Sequence, residues 1–437
     1  VGEEVFAGTQ NLTAMIEMQV TRVGGQTAIG RVRELILAAE QTKLPISRII
    51  DRTMLFYTPV IMMIAALVWF VTDDWHRVIS LLVLSCPCAV ILATPTAMVA
   101  ALSAAARHGI LIKNVGDLET AARIQAVIFD KTGTLTTGEL GVMRLAPRPG
   151  VTPSDLLFAA ASAEQFSKHP VAVALRALAE KTGLALSEPQ QTKEAAGQGV
   201  SAMVEGDLVF SGRGTWLQQQ GINDPALAED LAADREALST LFVARKGVYL
   251  GWIGLQDQIR PEAAAMLSEL RELDIKRIAM VTGDRKRVAR EVAEKIGCTE
   301  YEAECLPGGK VEFISRVQAE GYQVAFVGDG VNDAPALTAS EIGIAMGAAG
   351  NDIAIHSATV ALMNNDLMRV PFLITLSRHA RAVVYQNLLI GLFFIIGGIT
   401  LSSLNYVNPI VAAIMHNAGT LLVVFNSARL IRNRESA

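Results

Sequence analysis

The sequence predicts a multidomain chain of mixed class, in which an open α/β domain is combined with a membrane part made of α-helices. Hydrophobic residues make up 51% and charged residues 19% of the 437 residues, which is apolar for a water-soluble chain. Several short apolar runs are each followed within three residues by an aspartate, a pattern that predicts strands of an open sheet. Four longer apolar stretches could each cross a bilayer core of roughly 30 Å, so we expect four membrane helices. The net charge of −5 gives no basic footprint for a nucleic acid.

The first short apolar run, 126–129, predicts a buried strand, and the heptapeptide DKTGTLT follows it at 130–136. This order places the Asp130 carboxylate at the carboxyl end of a strand, where open α/β sheets carry their chemistry. The small and hydroxylated residues after Asp130 can surround a phosphoryl group with N–H groups and hydroxyls. The heptapeptide resembles the phosphorylation signature of P-type ATPases, which implies that Asp130 becomes an aspartyl-phosphate.

A glycine-rich turn after the apolar run 324–327 carries two aspartates, Asp329 and Asp333. Magnesium takes oxygen ligands, usually one or two carboxylates together with phosphate and water. The turn resembles the magnesium-binding hinge of the same family. We expect Asp329 to be the direct ligand, with Asp333 and Asn332 supporting the metal or the phosphoryl oxygens.

Other segments extend the resemblance to a Rossmann-like phosphorylation domain of the haloacid-dehalogenase type. After the apolar run 278–281, the family analogy implies that Thr282 contacts the phosphoryl group and Asp284 lies near the nucleotide. Lys310 matches the lysine that offsets the charge of the phosphorylated aspartate, and 257–261 resemble an Asp-x-x-Arg hinge element. Together with Asp130 and Thr132, these residues form the implied catalytic set.

The segment 140–250 interrupts this domain and resembles the α+β nucleotide-binding domain of heavy-metal P-type ATPases. Its stretch 164–170 resembles the Ser-Glu-His-Pro element, with Lys168 where that family usually has Glu. The resemblance implies that Glu164 and His169 bind the nucleotide, with His169 against the adenine.

Two glycine turns in the same segment resemble turns of the nucleotide domain. Gly197 and Gly199 belong to the first, and Arg213 lies in the second where the family often has Asn. No phosphate loop of the Gly-x-x-x-x-Gly-Lys-Ser type is present, so the ATP site rests on the resemblance.

The four predicted spans form two hairpins with short connectors, at 54–71, 78–102, 387–404 and 408–425. Basic residues flank the long polar segments, so the positive-inside rule predicts cytoplasmic catalytic domains in a multi-pass protein of the plasma membrane.

The second span contains Ser85-Cys86-Pro87-Cys88. A proline inside a span opens the helix, and thiolates select soft or borderline cations. Cys-Pro-Cys in the span before the phosphorylation loop resembles the heavy-metal branch, which implies that Cys86 and Cys88 are ligands of the transported ion. With four cysteines in a chain that faces the cytosol, we expect no disulfide.

The ion itself is less specified. Aligned from 386–387, the positions of the copper branch's Tyr-Asn pair hold Phe394 and Ile395, and the lysine of zinc and cadmium members is also absent. The last span instead contains His416, a costly residue at membrane depth. His416 could ligate Zn(II) or Mn(II) beside the thiols, or it could form an interhelical hydrogen bond.

The motifs divide the chain into six segments: 1–37, remnant of an actuator domain; 38–113, connector and first hairpin; 114–139 and 251–370, phosphorylation domain; 140–250, nucleotide domain; and 371–437, second hairpin. The chain opens without a Met, and the actuator's Thr-Gly-Glu loop is absent. We therefore expect an N-terminally truncated fragment.

The resemblance implies ATP-driven transport of a soft or borderline heavy-metal cation. Export is the usual direction in the family. ATP and Mg²⁺ are the implied cofactors, and lipid, the metal ion and a metallochaperone are the implied partners.

Two alternatives belong to other classes. A soluble phosphatase would carry a second Asp where Thr132 stands, and a non-catalytic metal-binding membrane module would need no Asp130 motif. Within the family, a Cu(I) transporter also stays open.

Overall fold

The computed structural model describes residues 18–20, 45–195, 197–232, 238–329, 333–347 and 357–432. The predicted actuator remnant at 1–37 therefore lies outside the described residues, apart from 18–20. The described residues fall into two compact units. The first belongs to Val1–Ile128, Ala265–Ile278 and Pro307–Ala437, and the second to Phe129–Ala264 and Ala279–Leu306.

The helices, numbered in chain order, are α1 Pro45–Thr72, α2 Trp75–Leu84, α3 Cys88–Arg107, α4 Val115–Ala121, α5 Pro153–Ala163, α6 Pro170–Lys181, α7 Gly214–Gln219, α8 Pro225–Ala232, α9 Ala263–Glu272, α10 Lys286–Ile296, α11 Pro307–Ala319, α12 Ala334–Ala339, α13 Arg369–Ser403 and α14 Pro409–Ala428. The strands are β1 Ile110–Ile112, β2 Ala126–Asp130, β3 Thr136–Pro147, β4 Gln190–Ala195, β5 Gly199–Val204, β6 Asp207–Gly212, β7 Ser239–Arg245, β8 Val248–Ile259, β9 Arg277–Val281, β10 Glu300–Glu302, β11 Val324–Gly328, β12 Ile342–Ala345 and β13 Val360–Leu362. Short helical turns, Lys131–Leu135 and Arg429–Arg432, follow β2 and α14.

The membrane part belongs to the first unit. Among the described residues, three helical stretches are long and apolar enough to cross a membrane: Trp75–Arg107, Arg369–Ser403 and Pro409–Ile431. The first predicted span, 54–71, corresponds to a shorter apolar helical stretch, Phe56–Thr72, within α1. The predicted count of four spans is thus confirmed for three of them.

A buried polar side chain, Asn387, ties three of these helices together. Its amide nitrogen donates to the Ser427 hydroxyl at 2.8 Å and to the Ala93 carbonyl at 3.2 Å. Its own amide oxygen accepts from the Asn426 amide at 2.8 Å. Polar pairs of this kind hold helices together where apolar surfaces give no driving force between them.

The strands of the first unit run in the order β1, β13, β12, β11 and β2. Strands β11, β12 and β13 are parallel, and β1 is antiparallel to β13 with Ile110 opposite Leu362. The continuous apolar sequences of β2 and β11 fit a sheet that is buried on both faces.

The second unit contains a parallel pair, β9 with β10, and a six-stranded antiparallel sheet in the order β3, β8, β7, β6, β5, β4. Successive side chains of these strands point to opposite faces. Val209 and Val243 pack with α5 and α6, whereas Phe210 and Phe242 pack with α7 and α8. The predicted mixture of α/β, α+β and membrane-helical parts is confirmed.

Candidate catalytic, nucleotide and ion sites

Three predicted strands end where the sequence places polar residues. Strand β2 is buried along its whole length and ends at Asp130, whose residue surface is 5% exposed. Strand β9 ends just before the buried Thr282, and β11 ends just before the half-buried Asp329. Each strand prediction is confirmed, and each polar residue lies at the carboxyl end of its strand.

The loop after Asp130 is held by the predicted Asp-x-x-Arg element within the second unit. The guanidinium of Arg260 donates to the Thr134 carbonyl at 2.8 Å and to the Gly133 carbonyl at 3.2 Å. The Thr136 hydroxyl donates to the Asp257 carboxylate at 2.5 Å. Gly133 has a φ of 73°, which a glycine adopts without strain. These contacts hold the carbonyls of Gly133 and Thr134 and the hydroxyl of Thr136 in place.

A second contact of the loop involves Asp284, which the sequence places near the nucleotide. The Lys131 ammonium lies 2.6 Å from the Asp284 carboxylate, and the Lys131 side chain is only 7% exposed. The Thr282 hydroxyl accepts the Asp284 N–H at 3.1 Å. Thr282, Asp284 and Lys131 are therefore neighbours, an arrangement that sequence spacing alone does not indicate.

The remaining catalytic candidates lie in the first unit. The Lys310 ammonium lies 2.6 Å from the buried Asp333 carboxylate. Burial raises the pKa of the Asp333 carboxyl, while the hydrogen bond from Lys310 lowers it. Asn332 lies outside the described residues. Lys310 therefore balances the charge of Asp333 in this structure, and its predicted action on a phosphorylated Asp130 stays a prediction.

One pocket of the second unit, with a volume of about 220 Å³, is lined by four of the five predicted nucleotide residues but not by Asp284. Glu164, His169, Gly197, Gly199 and Arg213 all line it. Glu164 is buried, and its carboxylate accepts from the Ser211 hydroxyl at 2.7 Å. Burial raises the pKa of Glu164, which favours its neutral form more than in water.

His169 caps the N-terminus of helix α6 and has a defined ring orientation. Its Nδ1 accepts the Val171 N–H at 3.3 Å, which leaves Nε2 to carry the proton of the neutral ring. The preceding loop is fixed by Arg176, whose guanidinium donates to the carbonyls of Glu164, Gln165 and Ser167 at 3.2, 3.0 and 2.8 Å. The loop thus presents the exposed imidazole to the pocket.

Two of the three pocket glycines, Gly199 and Gly212, are required by a close approach of two strands. Gly199 of β5 lies opposite Gly212 of β6. A Cβ at Gly199 would come within 2.4 Å of the Ser211 carbonyl, and a Cβ at Gly212 within 2.4 Å of the Gln198 carbonyl. Any larger residue at these two positions would clash with the backbone of the facing strand.

The predicted ion ligands come together in the membrane part of the first unit. Helix α2 ends at Leu84 and α3 begins at Cys88, so Pro87 lies in the break between them. The ligand atoms of Cys86, Cys88 and His416 all lie within 4.8 Å of one another, and each residue is half-buried. The sequence predicted Cys86 and Cys88 as ligands from the Cys-Pro-Cys motif. It singled out His416 because a histidine is costly at membrane depth.

One expectation about this site is wrong. The structure joins Cys86 and Cys88 as a disulfide, whereas the sequence predicted none. Residues two apart in an unbroken α-helix point to opposite sides, so the break at Pro87 lets the two sulfurs meet, with the Cα atoms 5.6 Å apart. Metal binding requires the reduced pair, because the thiolate is the ligand.

A tyrosine that the sequence reasoning missed supports the same break. The Tyr57 hydroxyl of α1 donates to the Ser85 carbonyl, immediately before Cys86. A backbone carbonyl freed by a helix break needs a partner in the apolar core of a membrane. The hydroxyl of Tyr57 inside the first apolar stretch was the one signal available.

Comparison with known proteins agrees with these features. Residues 124–340 match the haloacid dehalogenase-like hydrolase family, which defines the class of the domain that carries Asp130. The crystal structure of a zinc-transporting PIB-type ATPase superposes with a TM-score of 0.76 at 36% identity, over 95% of this chain and 69% of that chain.

Two curated relatives are similar along nearly the whole sequence. The zinc-exporting P-type ATPase of Mycobacterium marinum is 38% identical over 415 residues, which is 94% of this chain and 57% of the relative. The manganese-exporting P-type ATPase of Mycobacterium tuberculosis is 37% identical over 437 residues, which is 99% of this chain and 61% of the relative. The chain belongs to the heavy-metal P-type ATPases, and it spans about three fifths of the length of these curated relatives.

Proposed function

We propose that this chain carries the phosphorylation, nucleotide and ion sites of an ATP-driven metal pump of a cell membrane. The ion is a divalent transition-metal cation, either borderline Zn(II) or the harder Mn(II), and the direction is export. The observation that carries the proposal is the Cys86, Cys88 and His416 cluster among apolar helices of a chain in this family. Sulfur together with imidazole is a donor set suited to zinc.

In the proposed cycle, Asp130 attacks the γ-phosphate of ATP and displaces ADP, forming an aspartyl-phosphate. A covalent intermediate divides one difficult transfer into two easier steps. Thr132 and Thr282 orient the transferred group by hydrogen bonds, and Lys310 balances its charge. Arg260 keeps the loop in shape through its two carbonyl contacts.

Magnesium is the metal cofactor that the family implies. The half-buried Asp329 offers the hard oxygen ligand that this ion prefers, and Asp333 lies four residues further on. When bound, the ion supplies positive charge to the phosphoryl oxygens. The buried ion pair with Lys310 favours a supporting role for Asp333 rather than direct ligation.

A membrane-fraction assay tests the whole proposal. We expect ATP to label the protein at a hydroxylamine-sensitive carboxyl in the presence of Zn(II) or Mn(II), in reducing buffer, and much less without metal. A soluble-type phosphatase would give no dependence on the transported metal. A non-catalytic metal-binding module would bind the ion without any labelling, and either result would remove the proposal.

His169 is expected to contribute its ring to adenine binding. Replacing His169 with Ala should weaken ATP binding roughly tenfold, since stacking of a base on an aromatic ring is worth about 1–3 kcal/mol. Phosphorylation of Asp130 by inorganic phosphate should persist in the full-length pump. His169→Asn is the matched control, because Asn keeps the helix cap but lacks the ring. Recovery of ATP affinity in His169→Asn would reduce His169 to a capping residue.

Tyr57 is expected to position the ion site. Tyr57→Phe removes only the hydroxyl that donates to Ser85, so the turn before Cys86 loses a buried hydrogen bond. We expect the half-activating metal concentration to rise roughly tenfold, as loss of other supporting partners of metal ligands does. The maximal labelling by inorganic phosphate should not change. Tyr406→Phe, at a loop residue that is 76% exposed, is the control. An unchanged metal requirement would leave Tyr57 as a packing residue.

A further inference from the structure

The nucleotide pocket has an unusual balance of fixed charge. Among its described lining residues, Glu164 and Glu194 are acidic and Arg213 is the single arginine or lysine. A nucleoside polyphosphate brings three or more negative charges. Without Arg213, the described lining would offer such a ligand no arginine or lysine beside its two carboxyl groups.

The other described arginines between 136 and 259 are all engaged. Arg148 lies 2.6 Å from Asp224, and Arg245 lies 2.8 Å from Asp207. Arg176 holds three carbonyls of the 164–167 loop, and Arg144 stacks over the Trp252 ring at 5.3 Å. These guanidinium groups already serve the fold.

Arg213 differs from these four. Its main chain is fixed on both sides, because its N–H donates to the Gln198 carbonyl at 2.8 Å and its carbonyl accepts from Trp216 and Leu217 at 3.0 and 3.1 Å. Its guanidinium makes no hydrogen bond or ion pair with any residue in the described part of the chain. An anchored backbone with an uncommitted cation at a pocket is an arrangement suited to an anionic ligand.

Arg213 also lies close in sequence to a residue that contacts the proposed adenine side of the pocket. It follows Ser211 and Gly212 at the end of β6, and the Ser211 hydroxyl donates to Glu164 at 2.7 Å. Ser211, which donates to the buried Glu164 carboxyl, therefore lies two positions before Arg213 in the chain. A ligand with a base at Glu164 and His169 can reach Arg213 with its phosphates.

We propose that Arg213 is a specificity-determining residue that binds the phosphate chain of the nucleotide. The inference rests on the proposed ATP site and adds to it a reason for selecting nucleoside di- and triphosphates over adenosine. Arg forms two parallel hydrogen bonds with phosphate oxygens, and such charge-assisted bonds are among the stronger ones. Binding of ATP should therefore be sensitive to salt, and binding of adenosine should not.

The test measures affinities of the whole chain in detergent for adenosine, AMP, ADP and ATP, with EDTA present to prevent turnover. We expect the wild type to bind ADP and ATP more tightly than adenosine. Arg213→Gln should weaken ADP and ATP binding roughly tenfold and leave adenosine within about twofold. Arg213→Lys should keep part of the gain in affinity from adenosine to ATP, since lysine retains the charge but lacks the planar guanidinium. Arg144→Gln, which removes a cation outside the pocket, should change none of the four affinities.

The outcomes separate the two claims. If the wild type binds none of the four ligands, the proposed nucleotide site fails and this inference fails with it. If the wild type binds ATP and Arg213→Gln keeps the full increment from adenosine to ATP, the inference alone is overturned. Adenosine affinity reports whether each variant is folded. If Arg213→Gln also loses adenosine binding, the salt dependence of the wild type is the deciding measurement. A gain in affinity from adenosine to ATP that shrinks as salt is raised would support phosphate binding by Arg213. A gain that does not shrink would overturn it.

Discussion

Replacing Asp130 with Asn is expected to abolish phosphoenzyme formation and metal transport while ATP binding is retained. Asn keeps the shape of the side chain at the end of β2 but lacks the attacking carboxylate. Loss of a covalent nucleophile costs on the order of 10³-fold or more in rate. The pocket that contains Glu164 and His169 does not include residue 130, so nucleotide affinity should be unchanged.

The measurement is acid-stable labelling with radioactive ATP, followed by metal uptake into inverted vesicles. Asp274→Asn is a suitable control, because the exposed Asp274 carboxylate pairs with the exposed Lys276, and its φ of 58° is one that Asn accepts readily. Normal labelling of the Asp130→Asn variant would remove the central claim of the proposal. Loss of ATP binding together with labelling would instead indicate that the substitution had unfolded the loop.

The strands that carry the catalytic candidates were predictable because their signals are local. Each strand that ends at a polar residue is an apolar run followed by a loop of small residues, as at Asp130, Thr282 and Asp329. The Asp257–Arg260 element was predicted as a hinge, and its contacts with the loop follow from adjacent strands β3 and β8. Period and composition are sufficient for features of this kind.

Pairings across the fold were less predictable. The Lys131 to Asp284 ion pair joins positions that are distant in the chain, and neither residue alone carries a signal for it. Tyr57 meets Ser85 only because Pro87 breaks the helix, and the same break allowed the Cys86–Cys88 disulfide that the sequence did not predict. Local patterns carry no information on such contacts, because they depend on how separate elements pack.

The largest effect on ion handling is expected from the thiols. Replacing both Cys86 and Cys88 with Ser exchanges two soft ligands for harder, neutral ones. Metal stimulation of labelling should disappear, with a loss at least as large as the ~10- to 100-fold that removal of a supporting partner costs. Phosphorylation by inorganic phosphate, which does not need the ion, should survive in the full-length pump.

A cysteine outside the membrane helices gives the matched control. Cys305 is half-buried in the second unit, so Cys305→Ser makes the same chemical change away from the cluster. We expect it to keep the wild-type metal response in reducing buffer. Unchanged activation of the Cys86→Ser, Cys88→Ser variant would show that the two thiols only fill space, and the metal assignment would fall.

His416 then decides between borderline ions and copper. If its imidazole completes the site, His416→Ala should raise the half-activating concentration of Zn(II) or Mn(II) more than that of Cu(I), because Cu(I) is satisfied by two thiolates. Asn417→Ala on the same helix is the control, since the Asn417 amide donates to the carbonyl of Ala413 in its own turn. An equal effect on all ions would make His416 a hydrogen-bonding residue of the helix interface. In that case the two thiols alone would set the preference, and the chain would fit a Cu(I) pump.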